Sequence, residues 1–91
     1  MENLRAEILV SGKVQGVFYR AHALEFAREL GLTGTIQNLD TGNVEIIAEG
    51  QENLLKEFYL WCQDGPKLSK VENVQIHYTA SKDEFTTFER K

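Results

Sequence analysis

One junction constrains this chain more than any other feature. An alternating run, RAEILVS, passes through GKVQGVFYR into AHALEFAREL, all within residues 5–30. In residues 5–11, Ala6, Ile8 and Val10 share one side and Glu7, Leu9 and Ser11 the other, the period of a strand with one buried face. In residues 20–30, Ala23, Phe26, Ala27 and Leu30 recur at i, i+3, i+4 and i+7, the apolar stripe of an amphipathic helix. Gly31 stands where such a helix ends. The linking loop, residues 12–19, holds Gly12 and Gly16 and delivers Arg20 to the start of the helix.

The rest of the chain alternates in the same way. Two extended runs, 33–38 and 43–49, flank Leu39-Asp40-Thr41-Gly42, whose Asp and Gly form a hairpin turn. A second helix is expected over 52–63, with Leu55, Phe58, Tyr59 and Cys62 on its stripe and Asp64-Gly65-Pro66 as its stop. Val74, Ile76 and Tyr78 alternate in a fourth strand over 71–79, and a short last strand is placed near 85–89, where alternation is poor. The order βαββαβ predicts an α+β, ferredoxin-like sandwich: two split βαβ units forming an antiparallel sheet with both helices on one face. That architecture hosts many chemistries and selects none.

Size and charge narrow the classes. At 91 residues the chain is expected to be one domain, 1–91, with one core. Hydrophobic residues at 42% and charged residues at 26% suit a globular protein, and no apolar run reaches the ~20 residues of a membrane span. MENLRAEI lacks the basic and apolar regions of a signal peptide, and Cys62 is the only cysteine, so a cytoplasmic setting is expected. A net charge of −4 argues against a nucleic-acid partner, which calls for a basic face. Small size and an acidic surface lean towards a monomer.

The chemistry is sought at the junction. A helix N-terminus offers free N–H groups and about half a positive charge. A loop folding its amides over that end makes an anion nest, and Arg20 adds a planar fork of donors. The bottom-up reading of GKVQGVFYR is a cradle for one phosphate-sized dianion; the plainer alternative is a tight turn shaped by glycines beside a solvated Arg20. Asn38 opens the hairpin, where an Asn serves either as a turn former or, through its amide, as a holder of a water molecule.

Together these two stretches resemble the acylphosphatase family. Residues 12–20 match its G-x-V-Q-G-V-x-[FY]-R pattern, with Tyr19 at the aromatic place. Gly34, Asn38, Gly42, Val44 and Gly50 align without a gap to its second pattern. The chain departs from that pattern at Thr35, where an aromatic is usual, and at Gln37, where a basic residue is common; Thr35 is expected to loosen packing beneath the site and Gln37 to remove one positive charge near it. The resemblance implies hydrolysis of the carboxyl–phosphate bond of small-molecule acyl phosphates, on a ferredoxin-like fold, without a cofactor. Arg20 takes the place of the phosphate-binding arginine, and the amides of Gln15, Gly16, Val17, Phe18 and Tyr19 that of the phosphate loop. Asn38 takes the place of the asparagine that orients the attacking water.

Other candidates carry less. His22 and His77 stand apart with no clustered Cys or His pattern, so no metal site is expected. Cys62 and Trp61 read as packing, and Lys13 as an exposed lysine near the cradle. Competing readings are a non-catalytic phosphate or acyl-phosphate sensor, an RNA-binding module, and a domain of a larger carbamoyl-transfer maturation enzyme. The RNA module lacks its aromatic run and basic balance; the chain's stop at Lys91 favours the free-standing enzyme over the larger one.

Overall fold

A computed structural model describes residues 3–91. The elements follow in the order β1 (Asn3–Lys13), α1 (Tyr19–Glu29), β2 (Thr33–Asn38), β3 (Val44–Gln51), α2 (Glu52–Asp64), β4 (Lys70–Ala80) and β5 (Phe88–Arg90). The sheet order is β4-β1-β3-β2-β5. β1 lies antiparallel to β3 and to β4, and β2 antiparallel to β3, which is the expected four-stranded core. The short fifth strand runs parallel to β2, so the whole sheet is mixed rather than purely antiparallel. It begins at Phe88, later than the sequence pattern suggested, because residues 81–87 serve first as the connection between the two edges of the sheet.

The core lies between one sheet face and the helices. Ala6, Ile8 and Val10 of β1 meet Ile46 and Val44 of β3 and Ile36 of β2 on that face, all buried. From above, Ala23 and Ala27 of α1 and Leu55, Phe58 and Cys62 of α2 fill the layer. The two alanines leave room for aromatic rings: Phe58 stacks on Phe26 and Trp61, with centroids 6.3 Å away in each case, and meets Phe88 edge-on at 6.2 Å. Burying those rings adds to the aliphatic core at roughly 25 cal/mol per Å² of apolar surface removed from water.

β1 runs longer than its alternating core because it is hydrogen-bonded on both sides. Its register against β4 slips between Ser11 and Gly12, a bulge made possible by a Gly12 φ of 121°. A Cβ at Gly12 would collide with the Lys70 carbonyl. The bulge lies at the end of β1, just before the loop that leads to α1. Among the described residues, no helix is long and apolar enough to cross a membrane.

Candidate active site

The loop between β1 and α1 is anchored by apolar side chains and leaves its backbone to the outside. Val14 and Val17 are buried, and Tyr19 is fully enclosed. The Tyr19 hydroxyl donates to the Cys62 carbonyl at 2.8 Å, and its ring packs on Trp61 at 5.3 Å. Burial pushes the Tyr19 hydroxyl far above its ordinary range and the Cys62 thiol up to about 12, so both stay protonated and serve packing. The sequence assigned Tyr19 to the loop by its amide; its side chain proves to be the anchor of the loop.

Between the anchors the backbone alternates in hand. Gly16 has φ 73° and Phe18 has φ 65°, both left-handed, with Val17 between them. Alternation of this kind turns successive N–H groups to one side and builds a nest for an anion. Phe18 is the N-cap of α1 and offers no side-chain acceptor, and the first turn of the helix carries no acidic residue. The orphan donors and the positive end of the helix dipole are therefore left uncompensated. A bulky residue in the left-handed region costs on the order of 1 kcal/mol and persists where its surroundings impose it. The Phe18 ring, 69% exposed, contributes little packing in return.

Asn38 reaches this place through strand alternation. Gly34 and Ile36 of β2 face the core, so Asn38, at the strand's end, faces the same side, towards the first turn of α1. Thr35 and Gln37 alternate to the other face. Gln37 donates to Glu45 at 2.6 Å, and Thr35 lies opposite Ile47. Neither departure from the family pattern touches the cleft. The expectation that Gln37 withdraws a charge from the site, or that Thr35 loosens its floor, is corrected by this alternation.

A cleft of about 220 Å³ results, lined by Gln15, Gly16, Phe18, Tyr19, Arg20 and Asn38 of the expected set, together with Val14, Ala21 and Arg90. Val17 is left out because its side chain enters the core. Lys13 is exposed and lies outside the lining, as do His22 and His77. Two features escaped the sequence. The Gln15 side chain donates to the carbonyls of Leu39 and Asn43, both at 2.9 Å, lacing the loop to the hairpin that begins at Asn38. Arg90 arrives from β5, whose pairing no local pattern announces.

Among the described residues, the lining contains two guanidinium groups and no carboxylate. A larger hollow of about 490 Å³ lies on the opposite, open sheet face, around Leu9, Ile47 and His77. It carries Glu7 and Glu45. Those carboxylates repel an anion, whereas the smaller cleft attracts one, so charge decides between them in favour of the smaller cleft.

A sequence model of the Acylphosphatase family matches residues 6–90. The chain belongs to the acylphosphatase family. Among relatives, it is 50% identical over 84 residues to an acylphosphatase of Marinobacter nauticus, covering 92% of this chain and 91% of that one. It is 45% identical to an acylphosphatase of Methylococcus capsulatus over the same share of both chains. Among solved structures, the crystal structure of acylphosphatase from Bacillus subtilis superposes with a TM-score of 0.93 at 35% identity, covering 97% of this chain and 98% of that one. The ferredoxin-like architecture read from the element order is therefore the architecture of the family.

Proposed function

We infer that the chain hydrolyses the carboxyl–phosphate bond of acyl phosphates, holding the phosphoryl group with Arg20 and the amides of residues 15–19 and orienting the attacking water with Asn38. The observation that carries this reading is the meeting of an uncompensated helix N-terminus, a guanidinium and a side-chain amide in one cleft that no carboxylate lines among the described residues. Family membership supplies the reaction, and the cleft supplies groups suited to it.

The chemistry needs little more. The water oxygen attacks phosphorus as the phosphorus–acyl oxygen bond breaks, and the electron pair leaves with the carboxylate. A carboxylate is a weak base and departs without an acid. Phosphoryl transfer through a loose transition state depends on positioning and charge stabilisation more than on proton abstraction. The amides and Arg20 stabilise the equatorial oxygens. The Asn38 amide, as acceptor and donor, holds the water in line. The proton of the water passes to a phosphate oxygen of the substrate, since no His, Asp, Glu or Cys lines the cleft among the described residues.

The deciding experiment is hydrolysis of benzoyl phosphate by the purified protein with and without EDTA. Turnover that survives the chelator is expected for a metal-free mechanism resting on these groups alone. Phosphate binding without turnover would replace the enzyme by a non-catalytic sensor. The setting proposed is a monomer working in the cytoplasm, and sedimentation of the purified chain at micromolar concentration checks the first of these.

A further inference from the structure

Arg90 stands in the cleft beside Arg20, although the mechanism above does not use it. Its placement is built rather than incidental. Phe88, two residues earlier, is buried against Phe58. The Phe88 carbonyl accepts from the Arg28 Nε at 2.9 Å, and the Glu89 carboxylate meets the same guanidinium at 3.2 Å. On the other side, the Lys91 amide donates to the Ile36 carbonyl at 2.9 Å. The backbone is thus tied down before and after Arg90. Arg90 pairs with Ile36 in the parallel register, so its side chain leaves on the same face as Ile36 and Asn38, towards the start of α1. The carboxylate nearest in sequence, Glu89, is occupied by Arg28. Among the described residues, neither Arg20 nor Arg90 makes an ion pair.

Two unpaired guanidinium groups facing one small cleft repel each other, and an anion between them removes that repulsion. Arg20 alone supplies one full charge to a phosphoryl group that carries nearly two. We propose that Arg90 is a second phosphate-binding cation of this cleft, holding the anion from β5 while Arg20 holds it from α1. The inference rests on the acyl phosphate reading for its substrate but not for its test. A planar fork on a pinned strand loses little entropy in binding phosphate oxygens. Because the phosphate oxygens are present before and during reaction, Arg90 binds ground state and transition state alike. Its signature is then a change in KM more than in kcat.

The test compares Arg90→Gln, Arg90→Lys and a distant charge control, Lys82→Gln, whose side chain is exposed and lies outside the cleft lining. The readouts are the dissociation constant of inorganic phosphate by NMR titration, KM and kcat on benzoyl phosphate, and the melting temperature. Arg90→Gln is expected to weaken phosphate about 5- to 20-fold and to raise KM similarly, with kcat within about threefold, as for one charge-assisted contact at a solvent-accessible site. Arg90→Lys should recover part of the loss, and Lys82→Gln should change neither constant. Unchanged phosphate affinity in a folded Arg90→Gln overturns the proposal. So does a KM that rises only for acyl phosphates with a negatively charged acyl group, which would move Arg90 to the acyl side. Wild-type protein that binds phosphate but does not turn over benzoyl phosphate would remove the hydrolytic reading alone, because the titration needs no turnover.

Discussion

Two arginines at opposite ends of the sheet have opposite surroundings. Arg5, near the start of β1, is buried, and three carboxylates reach it: Glu84 at 2.6 Å, Glu49 at 3.3 Å and Glu7 at 3.4 Å. The Phe85 ring lies 5.6 Å from its guanidinium carbon. Glu49, directly across the β1–β3 ladder, also accepts from the Lys82 amide at 2.9 Å. This network ties residues 82–85 down as the chain passes from β4 towards β5. Arg20, beyond the far end of β1, is half-buried and, among the described residues, makes no ion pair, on a helix start that has no side-chain cap. Saturated charge holds a connection in place, while unsaturated charge is held ready for a ligand. The difference lies in the partners each fold position supplies, since the residue type is the same.

The sharpest way to break that comparison is to remove both arginines in turn. Arg20→Ala is expected to lower kcat/KM by about 10³- to 10⁴-fold, the scale of losing a guanidinium that meets transition-state charge, with the melting temperature little changed. Arg5→Ala should do the reverse. Steady-state turnover per folded molecule stays near wild type, and urea unfolding shows a loss of about 2 kcal/mol. That figure sits below the range for a deeply buried pair because Glu7 and Glu84 are half-exposed and water can reach them once the arginine is gone. If Arg20→Ala lost stability and kept activity, the assignment of roles would be reversed.

Asn38 sharpens the functional half. Asn38→Ala is expected to reduce kcat by about 10²- to 10³-fold while leaving KM and phosphate affinity near wild type, because a positioned water matters only to the chemical step. Equal losses in phosphate affinity would make Asn38 a binding group instead. A smaller effect is expected at Gln15, whose side chain braces the loop against the hairpin. Gln15→Ala leaves the Leu39 and Asn43 carbonyls without that donor and should lower kcat by about tenfold, with a small drop in melting temperature. Unaltered kcat would show that the nest holds its shape without the lacing.

These examples also mark what was legible in advance. Period-two and period-3.6 patterns located every element of the four-stranded core, because each carries a buried face that must repeat. Arg20 and Asn38 were legible through two spaced motifs, and the structure brings both into one cleft. Arg90 was not. Its strand is three residues long and joins a parallel edge, so position there depends on Phe88 finding the aromatic cluster and on Arg28 clamping the backbone. Gln37 was misjudged for a related reason: sequence proximity to Asn38 suggested a shared site, whereas strand alternation separates neighbours to opposite faces. The Arg5 network was missed because its partners are 44 and 79 residues away in sequence.

The saturated end makes the smallest and most specific prediction, through Glu49. Burial alone would raise this carboxyl, but the Lys82 amide, the Ser81 hydroxyl and the Arg5 guanidinium outweigh burial and hold it below the usual carboxylate range. A group whose folded value is depressed contributes stability that is present above its unfolded value. That contribution is lost as pH falls through the folded one. The window therefore lies below about pH 4.3, the ordinary glutamate value. Melting temperature should decline as pH drops through this window. Glu49→Gln keeps an oxygen for the Lys82 amide but no longer titrates, so its decline should be shallower, with a loss of about 1 kcal/mol or less at pH 7 because Arg5 retains Glu84. Parallel pH profiles for wild type and Glu49→Gln would mean that other carboxylates carry the acid sensitivity. The network would then hold the connection by hydrogen bonding alone, and charge saturation at this end would not account for its contrast with Arg20.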